Sequence, residues 1–200
     1  HYNWHWFWHY GNGELGNNGI HTLDLARWAL QAEFPTKVTS SGGRYYFDDD
    51  QETPDTNTVS YEFGDQGHVT WLGSSCNQNG TGFVTVYGDK GSLEFHSSGG
   101  YTVKDRSDKE VKTASSGQGQ PEHVDNLIQC IQAGDPTRLN AEIEIGHRST
   151  LLCHLGNIAH RMGRVVNCET KTGHILGDKE SAALWKRDYH DGWEDRLTIS

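Results

Sequence analysis

Residues 16–30 read GNNGIHTLDLARWAL, in which a glycine-rich turn leads directly into an amphipathic helix. Ile20, Leu23 and Leu30 recur at the 3.6-residue spacing of an α-helix. One side of this helix can therefore pack on a hydrophobic core. The pattern predicts a helix over about residues 18–31.

His21 lies on the side of the helix next to this apolar stripe, together with Leu25 and Trp28, and close to the helix start. A helix N-terminus carries partial positive charge and free N–H groups, so the imidazole should resist protonation and an anionic group should be favoured beside it. A histidine that titrates near neutral pH is the usual proton carrier in enzymes. A helix-cap or core histidine fits the same pattern, and the residues alone leave both interpretations open.

The composition indicates one domain over residues 1–200 and disfavours some classes of partner. The chain carries a formal charge of −10, which argues against nucleic acid and anionic membrane surfaces because both reward basic patches. No apolar run approaches the roughly 20 residues of a membrane span. The cysteines are scattered without a Cys-x-x-Cys pair, so we expect four free thiols, at Cys76, Cys130, Cys153 and Cys168.

The order of the predicted elements indicates the fold class. Residues 2–10 alternate between two sides, one of them wholly aromatic, which predicts an extended strand. Antiparallel strands follow the first helix, and further helices follow the strands. This order predicts an α+β fold, in which a large, mostly antiparallel open sheet carries helices packed on one face. The predicted strands are Lys37–Phe47, Thr56–Phe63, His68–Leu72, Gly82–Tyr87, Ser92–Phe95, Tyr101–Val103 and Glu110–Lys112, and the later helices lie near residues 124–131, 143–163 and 179–186.

An apolar stripe on one predicted strand suggests self-association. Val59, Tyr61 and Phe63 alternate with polar residues, and we expect them to lie on an exposed sheet face. A second copy is expected to cover that face, because isologous dimers are the commonest oligomers.

Two other patterns resemble ligand motifs. Gly11–Gly16 spells GxGxxG before a helix, but the preceding residues are aromatic and histidine-rich, unlike the Val- and Ile-rich strand of a dinucleotide fold. We therefore expect no nucleotide at this loop. The histidine spacings match no zinc motif, so no metal is predicted. Trp4, Trp6 and Trp8 fit either a sugar-stacking platform or sheet core.

Several segments, in order along the chain, resemble the second domain of the Gfo/Idh/MocA oxidoreductases, the glucose–fructose oxidoreductase and inositol dehydrogenase group. Besides residues 16–30, these segments are YNWHWFW (2–8), GRYYF (43–47), TPDT (53–56), YGDKGSL (87–93) and GHRSTLLCHLGNI (146–158). The resemblance implies a C-terminal domain that lacks its N-terminal Rossmann domain. It also implies a sugar, cyclitol or derivative as substrate. NAD or NADP would bind mainly to the absent domain, and no cofactor is expected in this chain.

The resemblance also implies roles for individual residues. His21 corresponds to the family's catalytic histidine, as proton carrier or substrate ligand. The family often has an Asp four residues earlier, where this chain has Asn17, which cannot take a proton but can orient an imidazole or bind a substrate hydroxyl. Trp6, Arg44 and His154 are candidates for the substrate wall. A homo-oligomer formed through the sheet is implied as well, and the alternative function is a non-catalytic sugar-binding and oligomerisation module.

Overall fold

The computed structural model describes residues 2–77, 82–116, 119–187 and 189–193, and it confirms the α+β class. The helices are α1 (Ile20–Leu30), α2 (Gln120–Ala133), α3 (Ile143–Met162) and α4 (Lys179–Ala183). The strands are β1 (Lys37–Gly43), β2 (Thr56–Glu62), β3 (His68–Ser74), β4 (Val84–Gly88), β5 (Gly91–Phe95), β6 (Tyr101–Asp105), β7 (Glu110–Ala114) and β8 (Val166–Asn167). A π-helical turn (Leu15–Gly19) precedes α1, and short 3₁₀ helices cover Tyr2–Trp6, Gly64–Gln66 and Pro136–Arg138.

The strands form two antiparallel sheets of four, in the orders β3-β2-β1-β8 and β4-β5-β6-β7. The sequence predicts one large sheet, whereas the structure has two sheets of four strands. The antiparallel pairing within each sheet is as predicted. A groove of about 700 Å³ between α1, β3 and β4 separates the two sheets. Part of the β3–β4 connection, residues 78–81, lies outside the described residues.

The apolar stripe of β2 faces inward, so its predicted exposure to a second copy is wrong. Val59, Tyr61 and Phe63 are buried, and the Tyr61 hydroxyl donates a hydrogen bond of 3.0 Å to the Leu152 carbonyl of α3. The alternation indicates a strand with one apolar face, but this face is covered by α3, which follows much later in the chain. The opposite face of β2 is polar, with Thr58, Ser60 and Glu62 at the alternate positions.

The predicted strand over residues 2–10 is also wrong, because this segment closes local turns instead of pairing with a sheet. Tyr2–Trp6 is a 3₁₀ helix, and the Gly11 amide donates back to the Phe7 carbonyl at 2.8 Å. His5 is buried at the centre of the segment, whereas Tyr2 and Trp4 are exposed. Aromatic alternation in this segment therefore reflects rings distributed around a compact turn.

Helices α1 and α3 pack side by side on one face of the first sheet. Arg27 is buried between them and donates from Nε to the Ser149 hydroxyl at 2.8 Å, and that hydroxyl donates to Asp24 at 2.5 Å. This hydrogen-bonded contact fixes how the two helices face each other. It therefore fixes the position of the turn that precedes α1.

The four cysteines are free thiols, as predicted, and Cys130, Cys153 and Cys168 are buried. Burial raises the pKa of the Cys153 and Cys168 thiols to about 12. Among the described residues, no helix combines the length and apolar character that spanning a membrane requires.

Candidate active site

The π-helical turn and the first turn of α1 present Asn17 and His21. The two residues lie four positions apart on a continuous helical segment, and both side chains are exposed. Insertions of this kind in helices are frequent at functional sites because they redirect the side chains of the turn. Within the described residues, His21 has no hydrogen bond, ion pair or ring contact, so its imidazole is available to a ligand.

Neighbouring side chains hold this turn in place. The Asn18 side-chain amide donates to the Glu14 carboxylate at 2.6 Å, and the Asn157 side chain of α3 donates to the Asn12 carbonyl at 2.9 Å. Gly156 of α3 packs directly against Leu15. The turn is therefore anchored on α3 while Asn17 stays exposed.

The GxGxxG glycines serve packing rather than a dinucleotide turn. A Cβ on Gly11 would collide with the backbone of His5, and one on Gly13 would lie 2.7 Å from the Thr53 Cβ. Gly13 also has a φ of +62°, which favours glycine. These contacts bring the 3₁₀ segment and residue 53 against the start of the helix, and they leave no exposed glycine cradle for a pyrophosphate.

Arg44 organises the loop over residues 44–55. Its guanidinium donates to the Asp49 and Phe47 carbonyls at 2.8 Å each, to the Gln51 carbonyl, and to the Asp49 carboxylate at 2.5 Å. Its Nε is buried without a partner in the described residues. The hydrogen bonds of Arg44 thus hold the loop closed, and its role in the substrate wall stays a prediction.

Asp55 completes the same loop. Its carboxylate accepts from the backbone amides of Tyr45, Tyr46 and Phe47 at 2.9–3.2 Å. Burial alone would raise the pKa of Asp55, but these hydrogen bonds and one from Thr56 outweigh it and lower the pKa. The consequence is a fixed loop with exposed aromatic side chains at its tip.

Trp6 is partly buried and tied to this loop through its backbone. Its carbonyl accepts from the Glu52 and Thr53 amides at 3.0 and 3.2 Å, and its ring lies 4.2 Å from that of His5. The structure therefore brings Trp6 and Arg44 to one loop. No contact within the described residues joins either of them to His21.

His154 lies on the exposed side of α3, one helical turn before Asn157. Desolvation by the surrounding protein lowers the pKa of His154, and the nearby positive charges of Arg187 and His147 lower it further. Arg187 also donates to the His9 carbonyl, so it links the surroundings of His154 to the segment that leads to the π-helical turn. Within the described residues, no contact joins His154 itself to Asn17 or His21.

The groove between the two sheets offers little acid–base chemistry. Among the described residues that line it, the titratable ones are Tyr87 and His68, and the Nε2 of His68 lies 2.5 Å from the Ser60 hydroxyl. Within the described parts of the chain, no group of three or more His, Cys, Asp or Glu side chains is placed to hold a metal ion. His21, exposed at the start of α1, therefore stays the proton-transfer candidate.

The family comparison agrees with this arrangement. Residues 1–94, which include the 3₁₀ segment, the π-helical turn and the loop over residues 44–55, match the family model described as the GFO/IDH/MocA C-terminal domain. Residues 1–94 are thus similar to the C-terminal domain of the Gfo/Idh/MocA oxidoreductases. The resemblance stated from the sequence is thereby confirmed. No curated protein matches the chain in sequence.

Solved structures of oxidoreductases share the fold of this chain. The WlbA dehydrogenase from Bordetella pertussis, in complex with NADH and UDP-GlcNAcA, is 16% identical and matches over 84% of this chain and 49% of its own, with a TM-score of 0.59. A putative NADPH-dependent oxidoreductase from Desulfitobacterium hafniense is 18% identical over 78% of this chain and 48% of its own, with a TM-score of 0.60. The aldose–aldose oxidoreductase from Caulobacter crescentus, complexed with glycerol, is 20% identical over 74% and 45%, with a TM-score of 0.58. The chain spans about half the length of these structures.

Sequence reasoning missed several residues near His154. Arg187 lies in the tail after α4, which was predicted only to be irregular, and it donates to the His9 carbonyl at 2.7 Å. Arg161 of α3 lies over the ring of Trp8, 5.3 Å from its centroid. The seven-residue spacing of His147, His154 and Arg161 was the sequence pattern that could have indicated these residues, because it places the three on one side of a helix.

Proposed function

We propose that this chain is the substrate-binding half of an NAD(P)-dependent oxidoreductase that acts on a sugar, a cyclitol or a derivative of one. The observation that carries the proposal is the exposed His21 in the first turn of α1, directly after an anchored π-helical turn, in a chain similar to this family. The similar structures support the chemistry, since one is a dehydrogenase in complex with NADH and UDP-GlcNAcA and another is an aldose–aldose oxidoreductase.

In this proposal His21 removes the proton from the substrate hydroxyl whose carbon is oxidised. Asn17, four residues earlier, orients the imidazole or accepts and donates hydrogen bonds to substrate hydroxyls, because an amide does both but cannot take the proton. NAD or NADP, held by a separate domain, supplies the hydride acceptor. The described residues contain no cradle that fits its pyrophosphate, so we assign this chain only the proton and the substrate contacts.

The test is an assay of NAD(P)H formation by the complete protein, with wild type compared with His21→Ala. Loss of a positioned acid–base group should lower kcat by about 10²–10⁴-fold. His123→Ala is the matched control, because His123 is also exposed near the start of a helix, α2. A control variant as impaired as His21→Ala would contradict the proposal.

A second candidate is a module that binds sugar and self-associates without chemistry of its own. The observation that favours it is an apolar face on the second sheet that the chain covers only in part. Val86, Leu93, Phe95 and Val103 share this face by the strand register, and all are partly buried. Trp28 of α1 approaches Phe95, with ring centroids 6.4 Å apart.

We propose that a second copy completes this face. Homodimer interfaces are more apolar than the rest of a protein surface, so Leu93→Glu should convert a dimer to a monomer in light scattering. Glu94→Gln, on the opposite face of the same strand, is the control and should leave the dimer intact. A wild-type chain that stays monomeric at micromolar concentration would contradict the self-association proposal.

A further inference from the structure

Basic side chains line one side of α3. His147, His154 and Arg161 follow one another at seven-residue intervals, which places them two turns apart on the same side of a helix. All three side chains are exposed. Arg187, from the tail after α4, adds a fourth basic group close enough to His154 to lower its pKa.

The two arginines of this basic surface are held by the N-terminal segment. The Arg187 guanidinium donates to the His9 carbonyl at 2.7 Å, and the Arg161 guanidinium lies 5.3 Å from the centroid of the Trp8 ring. Such contacts restrict long, flexible side chains, and a cation over an aromatic face is attracted by the ring. Both guanidinium groups are therefore ordered while their charges remain unneutralised.

The charges of this surface lack counter-charges among the described residues. Arg27, Arg44, Arg148 and Arg164 each form an ion pair with a carboxylate. Neither Arg161 nor Arg187 does so within the parts of the chain that the structure describes. Arg106 and Arg138 also form no ion pair within the described residues, so what distinguishes Arg161 and Arg187 is that the N-terminal segment holds both of them.

We propose that Arg161, Arg187 and His154 bind an anionic group, a carboxylate or a phosphate, of the substrate. A guanidinium matches both groups because its N–H donors form two parallel hydrogen bonds to their oxygens. The His9–Arg187 contact and the Asn157–Asn12 contact connect this surface to the segment that leads into the π-helical turn. Assigning the anion to the substrate rests on the proposed function, whereas anion binding itself does not.

The experiment measures binding of three probes to the chain at fixed pH and ionic strength, by calorimetry and by NMR of the histidine side chains. The probes are D-glucuronate, inorganic phosphate and the neutral sugar D-glucose. We expect at least one anion to bind more tightly than glucose. Arg161→Gln and Arg187→Gln should each weaken that binding by about tenfold, the size of one lost charge-assisted hydrogen bond.

Arg106→Gln is the matched control, because Arg106 is an exposed arginine in the turn between β6 and β7. Preference for glucuronate assigns a carboxylate, and preference for phosphate assigns a phosphate. The proposal is overturned if neither anion binds better than glucose, or if Arg106→Gln weakens binding as much as the other two variants. Circular dichroism of each variant separates lost binding from lost folding.

The anion-site proposal and the catalytic proposal can each be overturned without the other. His21→Ala should bind the anion as wild type does, since His21 has no part in the basic surface. A normal turnover by His21→Ala would therefore remove the catalytic proposal and leave the anion site standing. If neither anion binds but the His21→Ala enzyme is inactive, the anion site is overturned and the catalytic proposal stands.

Discussion

At the scale of single residues, the site combines an exposed imidazole with an amide in place of a carboxylate. Asn17 lies in the π-helical turn and His21 in the first turn of α1. A carboxylate at position 17 could share a proton with the imidazole, whereas an amide only donates and accepts hydrogen bonds. The proposed chemistry therefore places the whole proton transfer on His21.

Substitutions at Asn17 test this division of roles. Asn17→Ala removes an orienting hydrogen bond but no proton carrier, so we expect kcat to fall by about tenfold, equivalent to roughly one hydrogen bond. Asn17→Asp restores the residue that the family often has and should retain turnover. Steady-state kinetics of both variants in the complete protein give the result. A loss in Asn17→Ala as large as that in His21→Ala would show that Asn17 does more than orient.

At the scale of elements, the loop over residues 44–55 is held by two charged side chains that bond to its backbone. Arg44 bonds to backbone carbonyls and Asp55 to three successive backbone amides. The sequence predicted Arg44 as a substrate-wall residue because its position matched a family segment. Its hydrogen bonds depend on how the loop folds back on itself, which residue type and spacing do not reveal.

Asp55→Asn should therefore destabilise the fold in a pH-dependent manner. Hydrogen bonds to a charged acceptor are the stronger kind, so the free energy of unfolding should fall by about 2 kcal/mol near neutral pH. Because the pKa of Asp55 is lowered in the folded state, its stabilisation is complete above the ordinary Asp pKa near 4 and is lost as pH falls through the folded value.

Denaturant unfolding of wild type and Asp55→Asn across pH 2–7 measures this effect, and the difference should shrink at acidic pH. Asp50→Asn is the control, because Asp50 is exposed on the same loop. A difference that stays constant down to pH 2 would contradict the account of Asp55.

The contact between α3 and the π-helical turn gives a second test at this scale. An alanine Cβ at position 156 would lie 2.7 Å from both Leu15 and the Tyr61 hydroxyl. Gly156→Ala should cost about 1–3 kcal/mol of stability through overpacking. Gly146→Ala, on the same helix but with open space around it, should instead add about 0.5–1 kcal/mol through helix propensity. Thermal unfolding of both variants checks the opposite signs, and two changes of the same sign would contradict this packing.

The elements that the sequence predicted well are those specified by local periodicity. Helix α1, the hairpin turn between β4 and β5, and α3 lie within a few residues of their predicted bounds. The predictions that proved wrong concern segments whose structure depends on residues distant in the sequence. Residues 2–10 satisfy their backbone groups locally and through residues 52 and 53. The inward face of β2 is covered by α3, which lies about 90 residues later in the chain.

At the scale of the whole molecule, His21 and Asn17 could be found from the sequence, but the basic surface could not. His21 follows a local motif, so its position on a helix start was predictable. Arg187 and Trp8 are 179 positions apart and meet the same side of α3 only in the folded chain. Residues joined by tertiary contact rather than by spacing carry no signal in a single sequence.

The whole chain should also bind NAD(H) weakly or not at all. Gly11 and Gly13 pack against His5 and Thr53, so the loop cannot approach a pyrophosphate as a dinucleotide turn does. Calorimetric titration of the chain with NADH should therefore show no micromolar affinity. Micromolar binding would contradict the packing role given to these glycines.

The central claim is that His21 carries the proton, and chemical rescue tests it most directly. His21→Ala leaves space where the imidazole was, so free imidazole can replace the missing base without restoring any backbone contact. In the complete protein, we predict that His21→Ala loses about 10²-fold or more in kcat and that added imidazole restores part of this activity in proportion to its unprotonated form. His21→Ala enzyme with near-full turnover in the absence of imidazole, and an unchanged circular dichroism spectrum, would contradict the claim.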